Sequence, residues 1–216
     1  MRCLVTAGPT WEPLDRVRRL TNFSTGSLGG QLANHLASNG HDVCLLRGES
    51  ATWRNSLSAV TVQDFSTTAS LAELFQSHAT DKRVAIFHTA AVSDFTCAGV
   101  HERDAQGKLT LLRDGKFTTR SGNLWVELCP TPKILPQLRT WFANALIVGW
   151  KYETDGTRED VLARVARQFQ ESRNDLCVAN GPAYGDGFGL VTPTGKVTPL
   201  PGRAQLFAAL AGHLSG

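Results

Sequence analysis

The side chains best suited to chemistry lie between Thr6 and Gly30, in the stretch TAGPTWEPLDRVRRLTNFSTGSLGG. Gly8, Gly26, Gly29 and Gly30 carry no Cβ, so backbone N–H groups there can approach a ligand closely. Ser24, Thr25 and Ser27 add hydroxyls where a helix is predicted to begin, and the unpaired amides and dipole of that first turn favour an anion. Arg16, Arg18 and Arg19 add positive charge, and Asn22 offers both a donor and an acceptor. On the glycines alone, a glycine-rich helix start with solvated arginines is an equal reading. The long loop together with Arg18, Asn22 and Ser24 favours a site for an anionic, phosphorylated ligand.

The elements that must position this stretch follow from apolar periodicity. Arg2 to Thr6 reads as a strand and Gly29 to Asn39 as a helix closing on Gly40. Roughly twenty residues separate the two, where strand-to-helix loops usually run two to six, and loops of that length tend to carry function. Strands follow at 41–46, 60–65 and 84–90, with a helix at 70–78 between the last two. The alternation predicts a Rossmann-like, doubly wound, mostly parallel α/β sheet, whose ligands sit beyond the carboxyl ends of the strands. The loop after strand one and the segment Ala90 to Phe95 should therefore border one crevice. Asp94 becomes an acid at its mouth, although a turn cap is the commoner fate of such a residue.

Residues 108–115 and 124–128 alternate like antiparallel strands joined by Lys116 to Asn123, an excursion expected to serve as lid or dimer arm. Lys116 and Arg120 are the cations of that connection, and solvated charge is the competing reading for both. Thr131 to Ala143 reads as a helix with Thr131 as cap and Pro132 at its first position. Further strands are expected at 145–150 and 175–179 around a helix at 159–172, then a strand pair at 189–192 and 196–200, and a closing helix at 204–214. Residues 1–216 are expected to form a single domain.

A net charge of +3 with 42% hydrophobic and 19% charged residues gives no argument for nucleic acid or a membrane surface. Five scattered cysteines without CxxC spacing read as buried thiols of a reducing compartment, and no signal peptide or membrane span is legible, so a cytoplasmic location is expected. The histidines show no HxH or HExxH spacing, so no protein-bound metal is expected.

The opening stretch resembles that of the phosphopantothenoylcysteine synthetase (phosphopantothenate–cysteine ligase) family. Ala90 to Phe95, Pro130 to Leu135, and Ile147 to Thr154 with Asp175 to Asn180 resemble later motifs of that family, in the same order. The resemblance implies joining of 4'-phosphopantothenate to L-cysteine in coenzyme A biosynthesis, through a carboxylate activated by CTP or ATP with Mg²⁺. By the same likeness, Asn22 holds the activated carboxyl group and Arg18 supports the anionic substrate. Gly8, Thr10, Ser24 and Gly26 line the substrate pocket. Ala90 and Asp94 meet the base or ribose, Lys116 the triphosphate, and Pro132, Lys133, Ile134 and Leu135 the nucleotide. Trp150 packs on the base where the family commonly has Phe. The resemblance also implies a homodimer, and a stand-alone synthetase whose partner decarboxylase lies elsewhere.

The departures fall on the nucleotide side. Lysines common in the penultimate helix align near Gln168 and Ser172, with Arg167 and Arg173 one position away, and Lys116 has no lysine neighbour. Between CTP and ATP the choice stays open, with CTP preferred. The alternative is an NAD(P)-dependent Rossmann oxidoreductase, because Thr25 to Gly30 has some likeness to a dinucleotide fingerprint. Those glycines, however, do not directly follow the first strand, and no Tyr-x-x-x-Lys constellation accompanies them.

Overall fold

The computed structural model describes residues 1–58, 60–80, 83–113, 115–117 and 123–214. The first half contains β1 (Arg2–Ala7), β2 (Trp11–Pro13), β3 (Arg19–Thr21), α1 (Ser27–Ser38), β4 (Asp42–Gly48), β5 (Val60–Phe65), α2 (Thr68–Ser77) and β6 (Val84–His88). An arm follows, made of β7 (Phe95–Arg103), β8 (Leu109–Leu111) and β9 (Leu124–Pro130). The remainder is α3 (Ile134–Trp141), β10 (Leu146–Tyr152), α4 (Arg158–Ser172), β11 (Leu176–Asn180), β12 (Phe188–Val191), β13 (Val197–Leu200) and α5 (Arg203–Gly212).

The main sheet has eight strands in the order β13-β12-β11-β10-β6-β1-β4-β5, with β12 and β13 antiparallel and the others parallel. This is a Rossmann-like α/β fold. All five residues of β6 are buried, as suits a central parallel strand covered on both faces. One face packs Val5, Phe87 and Val148 against Leu32 and Leu36 of α1 and Leu206 of α5. The other packs Leu4, Ile86 and Ile147 against Phe75 of α2 and Leu138 of α3. Helices α2 and α4 start on capping boxes, Thr67 with Ser70 and Thr157 with Asp160, each satisfying two otherwise orphaned groups. The chain reverses its direction of travel across the sheet between β1 and β6, and a ligand crevice opens at that point.

The long loop after β1 holds an antiparallel ribbon of β2 and β3, with Trp11 opposite Thr21 and Pro13 opposite Arg19. Two expectations need correction. Residues 109–111 and 124–130 do not pair with each other, because β7 lies between them and pairs with both. Strand β7 hides in the sequence because Gly99 sits at a register shift that breaks its alternation. Finally, α3 begins at Ile134 with Lys133 as its cap, not at Thr131. The Thr131 hydroxyl instead donates to the Ser93 carbonyl, which spends the cap side chain on the β6–β7 connection. Arg120 lies outside the described residues.

Candidate active site

The carboxyl end of β1 and that of β6 are stitched together by backbone. Thr10 N–H donates to the Ala91 carbonyl at 3.1 Å, and Ala91 N–H donates to the Gly8 carbonyl at 3.1 Å. Gly8 has φ +83°, and a Cβ there would lie 2.6 Å from the Ala51 methyl, so the turn requires glycine twice over. Gly26, at φ +79°, caps α1 with no side-chain hydrogen bond, and a Cβ on it would lie 3.1 Å from Gly8 N. Positions 8 and 26, both expected on the substrate side, are thus held back to back by the need for bare backbone.

Asn22 meets the same strand end. Its Nδ2 donates to the Ala91 carbonyl at 3.2 Å, which leaves the second N–H and Oδ1 of an exposed carboxamide for a ligand. Ser24 N–H donates to the Asn22 carbonyl at 3.0 Å, turning the chain toward α1. Thr10 differs from expectation. It is fully buried, its hydroxyl exchanges hydrogen bonds with Ser93 and accepts from Thr68, and so it braces the loops instead of facing a phosphate.

A cavity of about 590 Å³ opens on the other side of the Ala90–Asp94 segment. Ala90, Asp94, Lys133, Ile134, Leu135 and Trp150 all line it, which brings together six of the eight positions expected to meet the nucleotide. Pro132 and Lys116 are not among the lining residues. Lys133 forms an ion pair with Asp94 across the mouth. The polar wall adds Lys151, Glu153, Arg164, Arg167 and Gln168, where Glu153 is held by Arg164 and by Lys151 at 3.2 Å. Gln168 and Arg167 on α4 therefore do face the site, whereas Arg173 is absent from its wall and ends the helix at φ 50°. The ring of Trp150 packs partly on the α1 and α5 face, and its buried Nε1 has no partner among the described residues.

Sequence reasoning passed over His88, which lines the cavity at the end of β6. Its signal was a lone polar residue closing the most apolar strand, a pattern shared with ordinary core histidines. Burial pushes its imidazole down to about 4, so it is neutral at physiological pH.

The ribbon tip clasps the arm. Asp15 Oδ1 accepts from the amides of Val17 at 2.8 Å and Arg18 at 2.7 Å, and Oδ2 accepts from Phe117 N–H at 3.4 Å. Arg18 donates to the Phe117 carbonyl at 2.9 Å and pairs with Asp15 at 3.3 Å. Arg18 is thereby turned toward residues 115–117 and places the exposed Lys116 beside the ribbon. Desolvation raises the Asp15 pKa, but the three amides and the Arg18 charge outweigh it and hold the carboxyl below its ordinary value. With a lowered folded pKa, the clasp is fully formed above about pH 4 and loosens as pH falls through the lower folded value. Asp15→Asn is expected to speed amide exchange at Val17, Arg18 and Phe117 at neutral pH and to abolish this acid transition; unchanged exchange would contradict the clasp.

Residues 1–205 match the family model described as the DNA/pantothenate metabolism flavoprotein C-terminal domain. Over 184 residues the chain is 31% identical to the coenzyme A biosynthesis bifunctional protein CoaBC of Thermococcus kodakarensis, a match covering 83% of this chain and 41% of that protein. The chain thus spans less than half of that relative. The DNA/pantothenate metabolism flavoprotein from Streptococcus pneumoniae superposes with a TM-score of 0.85 at 23% identity, over 99% of this chain and 98% of that one. A Cab2 variant in complex with phosphopantothenate-cysteine superposes with a TM-score of 0.73 at 22% identity, over 99% and 87%. At these identities the two structures establish a shared fold.

Proposed function

The chain belongs to the DNA/pantothenate metabolism flavoprotein C-terminal domain family, and on that premise we propose that it ligates 4'-phosphopantothenate and L-cysteine through a nucleotide-activated acyl intermediate. The observation that carries the reading is the Ala90–Asp94 segment, which presents the Asn22 carboxamide on one side and a cavity sized for a nucleotide on the other. A carboxylate and an amine do not condense in neutral water, because hydroxide is a poor leaving group. Attack of the carboxylate oxygen on the α-phosphorus of CTP or ATP forms a mixed anhydride and expels pyrophosphate. The cysteine amine then attacks the acyl carbon, loses a proton, and the nucleoside monophosphate departs with the C–O bond electrons.

In this reading Asn22 holds the acyl oxygen as its charge develops. The backbone at Gly8, Ser24 and Gly26 borders phosphopantothenate. Asp94 accepts from the ribose, Ile134 and Leu135 pack beside the base, and Lys133, Arg164 and Arg167 face the phosphates. Arg167 then stands in for the lysines missing from α4. Arg18 acts through Lys116, holding the segment that carries it. CTP is the preferred nucleotide. A Mg²⁺ in this reading arrives on the triphosphate, because the wall carboxylates of Asp94 and Glu153 are already held by cations. Bound there it would neutralise phosphate charge. The five free cysteines suit a cytoplasmic protein, and no helix among the described residues is long and apolar enough to cross a membrane. The oxidoreductase reading is not favoured, because the glycines at the start of α1 follow a two-stranded ribbon and not β1 itself.

The deciding experiment is pyrophosphate release with CTP and ATP in parallel. Release only when nucleotide and phosphopantothenate are both present supports the ligase; release without phosphopantothenate, or none at all, refutes it. Lys116→Gln is expected to raise the nucleotide KM about tenfold with little change for phosphopantothenate, the scale of one charge-assisted phosphate contact; equal KM values would remove Lys116 from the triphosphate.

Each of six apolar residues of the arm is more than 40% accessible, and the strand register sets Phe95, Val126 and Leu128 on one face and Leu109, Leu111 and Trp125 together as an apolar strip on the other. A homodimer through this arm covers it. Sedimentation of the purified chain is expected to give twice the monomer mass, with Trp125→Glu shifting it toward monomer; a monomeric wild type at assay concentration would contradict this.

A further inference from the structure

Among the polar groups of the cavity wall left without a role above, the His88 imidazole is the one held by a buried partner on each side. His88 is 7% exposed, ends β6, and packs edge-on to Phe75 with ring centroids 5.7 Å apart. Its Nδ1 lies 3.1 Å from Thr6 Oγ1, and Thr6 is itself fully buried. That hydroxyl oxygen also accepts the Ala90 N–H at 2.9 Å. The hydroxyl proton therefore needs an acceptor, and His88 Nδ1 is the one the structure supplies among the described residues. If Nδ1 carried the ring proton instead, the Thr6 hydroxyl would be left with a buried, unspent donor. The neutral ring thus carries its proton on Nε2, and no protein acceptor takes it among the described residues.

The surroundings narrow what that donor can meet. The apolar lining, Ala90, Val92, Ile134 and Leu135, belongs to the same cluster as Phe75, on which His88 packs, whereas the charged lining sets Lys133, Lys151, Arg164 and Arg167 among the carboxylates of Asp94, Glu153 and Glu171. Phosphates belong with the cations. A flat heterocycle belongs with the apolar part, where a neutral donor would pair with a ring nitrogen or carbonyl oxygen. We propose that His88 is a specificity-determining residue, donating its Nε2–H to an acceptor on the base of the bound nucleotide, with Thr6 as the positioning residue that sets its tautomer. The inference rests on the nucleotide reading of this cavity and adds to it the group that reads the base. A base offering a donor at that point leaves two buried donors facing each other, so the penalty for the wrong base exceeds the worth of the bond itself.

The test is equilibrium binding to the intact chain with Mg²⁺, using CTP, ATP and the abasic analogue ribose 5-triphosphate. His88→Leu keeps the packing on Phe75 and removes the donor, while His88→Gln keeps a donor. The expected result is that His88→Leu weakens the better-binding nucleotide about tenfold or more, leaves ribose 5-triphosphate unchanged, and that His88→Gln restores part of the loss. Equal nucleotide affinity in His88→Leu, or equal losses for nucleotide and abasic analogue, overturns the role of His88 while leaving the nucleotide site standing. Failure of the wild type to bind either CTP or ATP overturns the nucleotide reading and this inference together. Should His88→Leu not fold, nitrogen NMR of the wild-type histidines decides: the Nε2–H tautomer shifting on nucleotide addition supports the proposal, and an Nδ1–H tautomer or an unmoved resonance refutes it.

Discussion

Asn22→Asp is expected to lower the rate of amide formation with cysteine about a hundredfold, the scale on which removing one donor to a developing oxyanion acts. The carboxamide spends one N–H on the Ala91 carbonyl and keeps the other, with Oδ1, facing outward. A carboxylate in its place would set two acceptors against each other at Ala91 and would put a negative charge beside the substrate carboxylate. Both effects act on the reacting centre. The fold should not respond, because the side chain is exposed and makes one hydrogen bond. A variant that melts with the wild type yet turns over slowly is the predicted outcome. Turnover within a few-fold of wild type would take Asn22 out of the mechanism.

Phe75→Ala is expected to cost about 3–5 kcal/mol of stability, by the lost transfer energy of the ring and the cavity left behind. Phe75 is fully buried and meets the rings of His88, Trp141 and Phe142 at 5.7, 6.4 and 6.3 Å. It joins α2 to α3 beneath the cavity, so nothing on either side can close the gap without moving a helix. For a chain of this size the melting midpoint should fall by roughly 10 °C. Because His88 loses its packing partner, nucleotide affinity should fall as well. A midpoint within about 2 °C of wild type would mean that the site collapses easily, contrary to the packing described.

What could be read beforehand divides along a physical line. The parallel strands and their helices were legible because each buries a continuous apolar run or a helical stripe, and local sequence reports that directly. The crevice between Gly8 and Asp94 was legible because strand polarity alone dictates that both segments leave the same sheet edge. The arm was less so: β7 carries glycine and polar residues at 99, 101, 102 and 103, and its order comes from pairing with two distant strands. Thr131 looked like a cap because a Thr-Pro step usually starts a helix, but its hydroxyl found the Ser93 carbonyl first. Thr10 and Arg18 had the chemistry of ligand contacts and became braces, a distinction that depends on partners 83 and 99 residues away. His88 could not be told from a core histidine without seeing that one nitrogen is taken and the other is not.

Ala91 illustrates how a residue with no reactive group can fix the geometry of a crevice. Its carbonyl oxygen receives both Thr10 N–H and the Asn22 amide, so both lone pairs are occupied and the two loops are fastened at a single atom. Substitution at the side chain leaves that oxygen in place. A one-residue insertion after β6, by contrast, would slide it about 3.3 Å along the chain, unhitching the carboxamide and the backbone turn at once. The spacing between His88 and Ala91 should therefore tolerate a change of letter far better than a change of length.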